Sequence, residues 1–193
     1  MDATHTVKSI VGHALRPLRA GCEALISYDS RLSAPLSIHL ESPAFAPFGE
    51  IPVTYSAEGE GISPPLHWSG LPAGTRELLL ICENPDAPKI MPFIHWIVYG
   101  ISPDRDRLPE GVPNMDPLAS MPDVRQAANS LRQIGYFGPL PLPGHGLHHY
   151  HFQLFALDEP MRFNYSPTRD DLIAAMSGHV LATGELVGTY EIK

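Results

Sequence analysis

Prolines set the outer limit on what this chain can build. From residue 36 onward its apolar runs are short and separated by proline and glycine turns, and 21 of the 193 residues are proline. A proline inside a helix removes a hydrogen bond and clashes with the carbonyl four residues back, so long helices are excluded from this region. The runs 36–40, 51–55, 77–82, 93–101, 150–157 and 185–191 are rich in β-branched and aromatic residues. They predict the strands of a β-sandwich. Phe93-Ile94-His95-Trp96-Ile97-Val98-Tyr99 is apolar at both alternating positions, which predicts a strand covered on both faces.

Three segments depart from that texture. Residues 102–134 show no strong period and predict an irregular flap beside a site, since long structureless loops are usually functional. Ser166-Pro167-Thr168 followed by Asp170-Asp171 predicts a helix start, with Leu172, Ile173, Met176 and Val180 on its buried face. Near the N-terminus, Val7, Val11, Ala14, Leu18 and Leu25 form an amphipathic helical stripe, with Pro17 kinking the helix or starting a second one. The stripe is expected to fold back on the chain's own domain, with a symmetric homodimer as the alternative.

A chain of this length buries enough surface to form one core without disulfides or metal staples. Cys82 lies in the apolar run Leu78-Leu79-Leu80-Ile81-Cys82 and reads as a small buried hydrophobe; Cys22 is the other cysteine. The N-terminal residues lack a secretory pattern and no stretch approaches a membrane span, so a cytoplasmic protein is expected. Asn164-Tyr165-Ser166 is then an accidental match to the glycosylation pattern. A formal net charge of −8 argues against nucleic-acid and acidic-membrane partners. An anionic ligand has to be held by local groups instead.

Two segments offer such groups. One is Glu83-Asn84-Pro85-Asp86-Ala87-Pro88 leading to His95-Trp96; the other is Gly135-Tyr136-Phe137-Gly138-Pro139 leading to His148-His149-Tyr150. Each joins a rigid turn to polar residues on an apolar strand, an arrangement suited to the mouth of a concave site. Strand alternation places His148 and Tyr150 on one face, where an imidazole and a phenol can donate two hydrogen bonds to a phosphate or carboxylate. If the imidazoles bind as cations, affinity rises as pH falls through about 6.5. His95 needs a buried partner, and Asp86 is the expected one, orienting the ring and raising its pKa. A satisfied core histidine and a self-capping turn aspartate are the structural alternatives. His145, His148, His149 and His151 cluster in sequence, but their spacing matches no usual zinc pattern, so no metal and no cofactor are expected. No hydrolase elbow, phosphate-binding loop or dinucleotide glycine pattern occurs.

Together with Leu40-Glu41-Ser42-Pro43-Ala44-Phe45, Ile62-Ser63-Pro64-Pro65-Leu66-His67-Trp68 and Gly184-Glu185-Leu186-Val187-Gly188-Thr189-Tyr190, these segments stand in a specific order. In that order the chain resembles the phosphatidylethanolamine-binding protein family, in its bacterial branch labelled Raf-kinase-inhibitor-like. The resemblance implies a mainly β fold: a β-sandwich of that type over residues 36–193, with peripheral helices and an N-terminal helical extension over 1–35. It further implies a pocket lined by Asn84, Asp86, His95, Gly138, Pro139, His148 and Tyr150. Two departures stand out: Asn84 replaces the first acid of the usual Asp-Pro-Asp, and His149 replaces the usual Arg after the second His. The expected function is non-enzymatic binding of a small anionic ligand or phosphorylated group, with a possible protein partner. The alternative is a small-molecule enzyme using His95 and His148 as general acid and base.

Overall fold

Strands form where short apolar runs alternate, and they assemble into two sheets. The computed structural model describes residues 3–193, so residues 1 and 2 of the expected extension lie outside the described residues. The strands are β1 (His39–Glu41), β2 (Leu66–Ser69), β3 (Glu77–Asn84), β4 (Phe93–Ile101), β5 (Arg107–Leu108), β6 (Arg125–Gln126), β7 (His148–Leu157) and β8 (Val180–Tyr190). One sheet has three strands in the order β1-β2-β5; the other has five in the order β6-β4-β3-β7-β8. Every pairing between these strands is antiparallel.

The period of two sorts the larger sheet's side chains into two buried layers. Leu78, Leu80 and Cys82 of β3 join Trp96, Val98, Phe152 and Leu154 in a core shared with Leu40, Leu66, Trp68 and Leu108 of the smaller sheet. Leu79 and Ile81 face the other way, with Ile97, Tyr99, Phe155 and Leu157. That second layer is closed by helix α2 (Arg169–Met176), through Leu172, Ile173 and Met176, and by Ile26 and Leu32 of the N-terminal segment. All eight residues of β3 are buried. The larger sheet is therefore covered on both faces, as the Phe93–Tyr99 pattern predicts for β4.

Several expectations need correction. Run 51–55 is no strand: after Pro52 the chain makes a 3-10 turn, Val53–Tyr55, and just before it Ile51 N–H bonds to the Thr189 carbonyl. The cap of α2 is Thr168, one residue past the proline, in a reciprocal capping box with Asp171. Val180 opens β8 instead of extending α2. Residues 102–134 are irregular but not a free flap, because Val112, Leu118, Met121 and Val124 belong to the main core.

The N-terminal stripe does not fold back. Helix α1 (Ala3–Leu15) ends two residues before Pro17, and Val7, Val11 and Leu18 remain 60%, 44% and 44% exposed. Of the predicted stripe, Leu25 alone is buried, and it lies beyond the helix. The helix touches the domain through a different face, centred on Gly12, where an added Cβ would sit 2.0 Å from the Pro143 carbonyl oxygen. Only a residue without a side chain permits so close a backbone approach.

Candidate functional site

At the end of the larger sheet the turn after β3, the start of β4 and the start of β7 enclose a cleft of about 120 Å³. Asn84, His95, His148 and Tyr150 contribute its polar wall; Phe93, Phe137, Leu140 and Leu142 contribute apolar surface; Lys89 stands at the exposed rim. The Lys89 Nζ lies 4.9 Å from the centroid of the Phe93 ring.

His95 reaches this cleft because β4 carries an extra residue. Cys82 of β3 pairs with Trp96, but the next residue, Glu83, pairs with Ile94, so His95 has no partner across the ladder. Strict alternation from Trp96 would send His95 to the opposite layer. The bulge re-aims it, which is a common use of bulges beside sites. Its Nδ1–H donates to the Phe137 carbonyl at 2.6 Å, and the Phe137 N–H donates back to the His95 carbonyl at 2.9 Å. In the neutral ring Nε2 is then an acceptor.

The other imidazoles form a chain whose proton positions are fixed at both ends by backbone groups. Asp86 N–H donates to Asn84 Oδ1 at 2.9 Å, which orients the amide so that Asn84 Nδ2 donates to His148 Nδ1 at 3.1 Å. At the far end His145 Nε2 faces the Leu15 carbonyl at 3.0 Å and must carry the proton there. Its Nδ1 is thus bare and accepts from His148 Nε2–H at 2.7 Å. Both His148 nitrogens are occupied within the protein.

Burial holds these rings neutral. It pulls His95 down to about 4, against a smaller upward effect of the Phe137 hydrogen bond. For His148, burial, with His145 close by, lowers it to about 3. Burial of the two rings therefore argues against imidazolium binding near pH 6.5. Tyr150 is pushed well above the usual phenol range by burial. Its buried hydroxyl has no hydrogen-bond acceptor among the described residues. The Leu140 backbone tempers that upward shift by serving the hydroxyl oxygen, so the unmet side is the O–H donor, and a buried donor left without an acceptor costs about 1–3 kcal/mol unless something outside the chain satisfies it.

Asp86, Gly138 and Pro139 are not on the cleft surface. Asp86 does not orient His95. Its carboxylate accepts instead from Arg19 and, through the other oxygen, from His149 N–H at 2.7 Å and His149 Nδ1 at 2.8 Å. Burial would raise its pKa, but these hydrogen bonds outweigh it and hold the group below the usual carboxylate range. Gly138 packs flat against the 55–57 backbone, where a Cβ would lie 2.5 Å from the Tyr55 carbonyl oxygen. Pro139 accepts from Ala57 N–H at 3.0 Å. The pair sets the turn that carries Phe137 and Leu140 into the wall. Lys89, Phe93 and Phe137 were not singled out from sequence as site residues, although Phe93 stands two residues before His95 and Phe137 lies inside the quoted glycine turn.

The sequence profile of the family described as phosphatidylethanolamine-binding protein matches residues 41–191. The chain belongs to that family. A UPF0098 protein of Pyrococcus abyssi is 41% identical over 143 residues, covering 74% of this chain and 79% of the relative. A solved structure from Chlamydia trachomatis, described as a phosphatidylethanolamine-binding protein homologue, is 38% identical with a TM-score of 0.73, covering 82% of this chain and 99% of that one. An Escherichia coli structure described as a new member of the mammalian family is 26% identical with a TM-score of 0.75, covering 81% and 99%. The family match begins at residue 41, so the segment bearing Arg19 lies outside it. In this member the guanidinium on Asp86 comes from that segment, while the residue after the second His is His149.

Proposed function

We propose that this family member binds a small anionic group, a phosphate or carboxylate of a metabolite, lipid headgroup or phosphorylated side chain, without transforming it. The orphaned Tyr150 hydroxyl in the cleft carries this reading: it is a preformed donor in apolar surroundings, with the Lys89 cation at the rim. A ligand oxygen accepts from Tyr150, and a ligand O–H or N–H supplies the proton that His95 Nε2 lacks. The acid–base alternative has less support, because both His148 nitrogens are committed and both rings are held neutral. A regulatory protein partner belongs to the same proposal. It would meet the cleft mouth near Ile90, which is 89% exposed and lies between the lining residues Lys89 and Phe93. Among the described residues no helix is long and apolar enough to cross a membrane. Both cysteines are unpaired, which fits the reducing, cytoplasmic setting included in this proposal.

Sulfate and inorganic phosphate are the probes. Sulfate keeps its charge, so its affinity should stay flat from about pH 8 to about pH 5.5, where His95 is still neutral. Tyr150→Phe should weaken it roughly tenfold. Calorimetry showing no binding, or binding indifferent to Tyr150→Phe, would remove the assignment.

A further inference from the structure

The N-terminal segment does more than cover the fold. It grips both turns that build the cleft. Ala20 N–H and Gly21 N–H donate to the Pro85 carbonyl, at 2.9 and 3.3 Å. Arg16 Nε donates to the Gly144 carbonyl at 2.7 Å. Arg19 joins the two turns directly: one nitrogen serves Asp86 and, at 3.2 Å, the Leu147 carbonyl, while another lies 3.4 Å from the His145 carbonyl. The Leu15 carbonyl, at the end of α1, accepts from Leu18 N–H at 2.8 Å in the turn that closes the helix and, on its other side, from His145 Nε2–H.

We infer that Arg19 and His145 are positioning residues for the cleft, through which the extension holds the His148 Nε2–H, the end of the ring opposite Asn84, and withholds it from a ligand. The inference rests on the anion-cleft reading for its ligand consequence, whereas its proton arrangement is a property of the protein alone. The chain of donors has one consistent direction. It starts at Asp86 N–H, passes through Asn84, His148 and His145, and ends on the α1 carbonyl. Freed from Leu15, His145 is no longer held as a bare acceptor at Nδ1, and His148 becomes free to turn an N–H or a charge toward the ligand. The charged or titratable groups acting on His148 are His145, Asp86, Arg19 and His95, from the 143–147 turn, the β3 turn, the extension and β4. Asn84 and Tyr150 line the same cleft and carry no charge near neutral pH.

Gly12 supplies a test that removes no charge and touches no cleft residue. Gly12→Ala places a methyl 2.0 Å from the Pro143 carbonyl oxygen and 2.9 Å from His145 N, so it acts on the backbone of the 143–145 turn, while alanine is the better helix former, so a loss of docking is not a loss of helix. Arg19→Ala is the second variant and keeps the experiment available if the wedge prevents folding. The readout is two-bond proton–nitrogen NMR of the imidazoles in the full chain, followed over pH, with sulfate titrated in parallel. In the parent, His145 and His148 should both read as Nε2–H, and His148 should stay neutral to about pH 4, below the ordinary histidine range. In each variant the His148 midpoint should rise by about one unit or more, and sulfate affinity should gain several-fold on acidification. A parent His148 protonated at Nδ1 overturns the inference, as does an unchanged His148 titration in both variants. Because the NMR readout needs no ligand, absence of sulfate binding would remove the anion-cleft reading while leaving the positioning result to be read independently.

Discussion

At His95 the ladder between β3 and β4 skips one residue, and a side chain that alternation would send into the α2 layer enters the cleft. Residue-scale departures of this kind shape the site more than the polar motifs do. The same holds at Gly138, whose role is close approach: the Tyr55 carbonyl oxygen lies 2.5 Å from where a Cβ would stand. Gly138→Ala should force the 137–140 turn outward and loosen the Phe137 carbonyl that holds His95 Nδ1. The expected cost is about 1–3 kcal/mol, the usual range for overpacking. Urea unfolding measures it, and an unchanged midpoint would show that the 55–57 backbone yields freely.

At the scale of elements, the N-terminal segment is joined to the sheets by polar contacts as well as apolar ones. Glu83 is fully buried on β3 and accepts from Ile26 N–H at 2.7 Å, Gln153 Nε2 at 3.0 Å and Arg169 Nε at 2.8 Å. It thus ties the segment to β7 and α2. Helix α1, in contrast, keeps Val7, Ile10 and Val11 in solvent and docks through Gly12. Lysines at Val7 and Val11 should therefore change the unfolding stability of the monomer, measured at a concentration too low for association, by no more than about 0.5 kcal/mol. The homodimer, the alternative that the stripe left open, is our proposal for what covers it, since a two-fold axis lets one stripe cover its copy. Light scattering should then find the parent at twice the mass of the double-lysine variant. A monomeric parent would remove the dimer.

At the scale of the molecule, the buried imidazoles make stability depend on pH. An unfolded histidine takes up a proton near pH 6.5, whereas folded His95 waits until about 4 and His148 until about 3. Between those values the unfolded chain binds more protons, so stability is present above the unfolded value and is lost as pH falls. Glu77, raised to about 6 by burial, works in the opposite sense above 4.5. The two histidines outweigh it, each worth on the order of 3 kcal/mol across the window. Urea unfolding at pH 7 and about pH 4.5 should show a loss of a few kcal/mol, shallower in His95→Phe. Equal stability at both values would mean that the rings are charged in the native state. Much of this architecture was legible in the sequence. Proline spacing and two-residue alternation determined a β fold, the double-sided β4 and the shared face of His148 and Tyr150, because those patterns act within one segment. What only the tertiary structure decided were the bulge at His95, the partners of Asp86, the proton order from Asn84 to Leu15 and the exposed stripe of α1. Each depends on which distant backbone group arrives beside a side chain, and no local period encodes that.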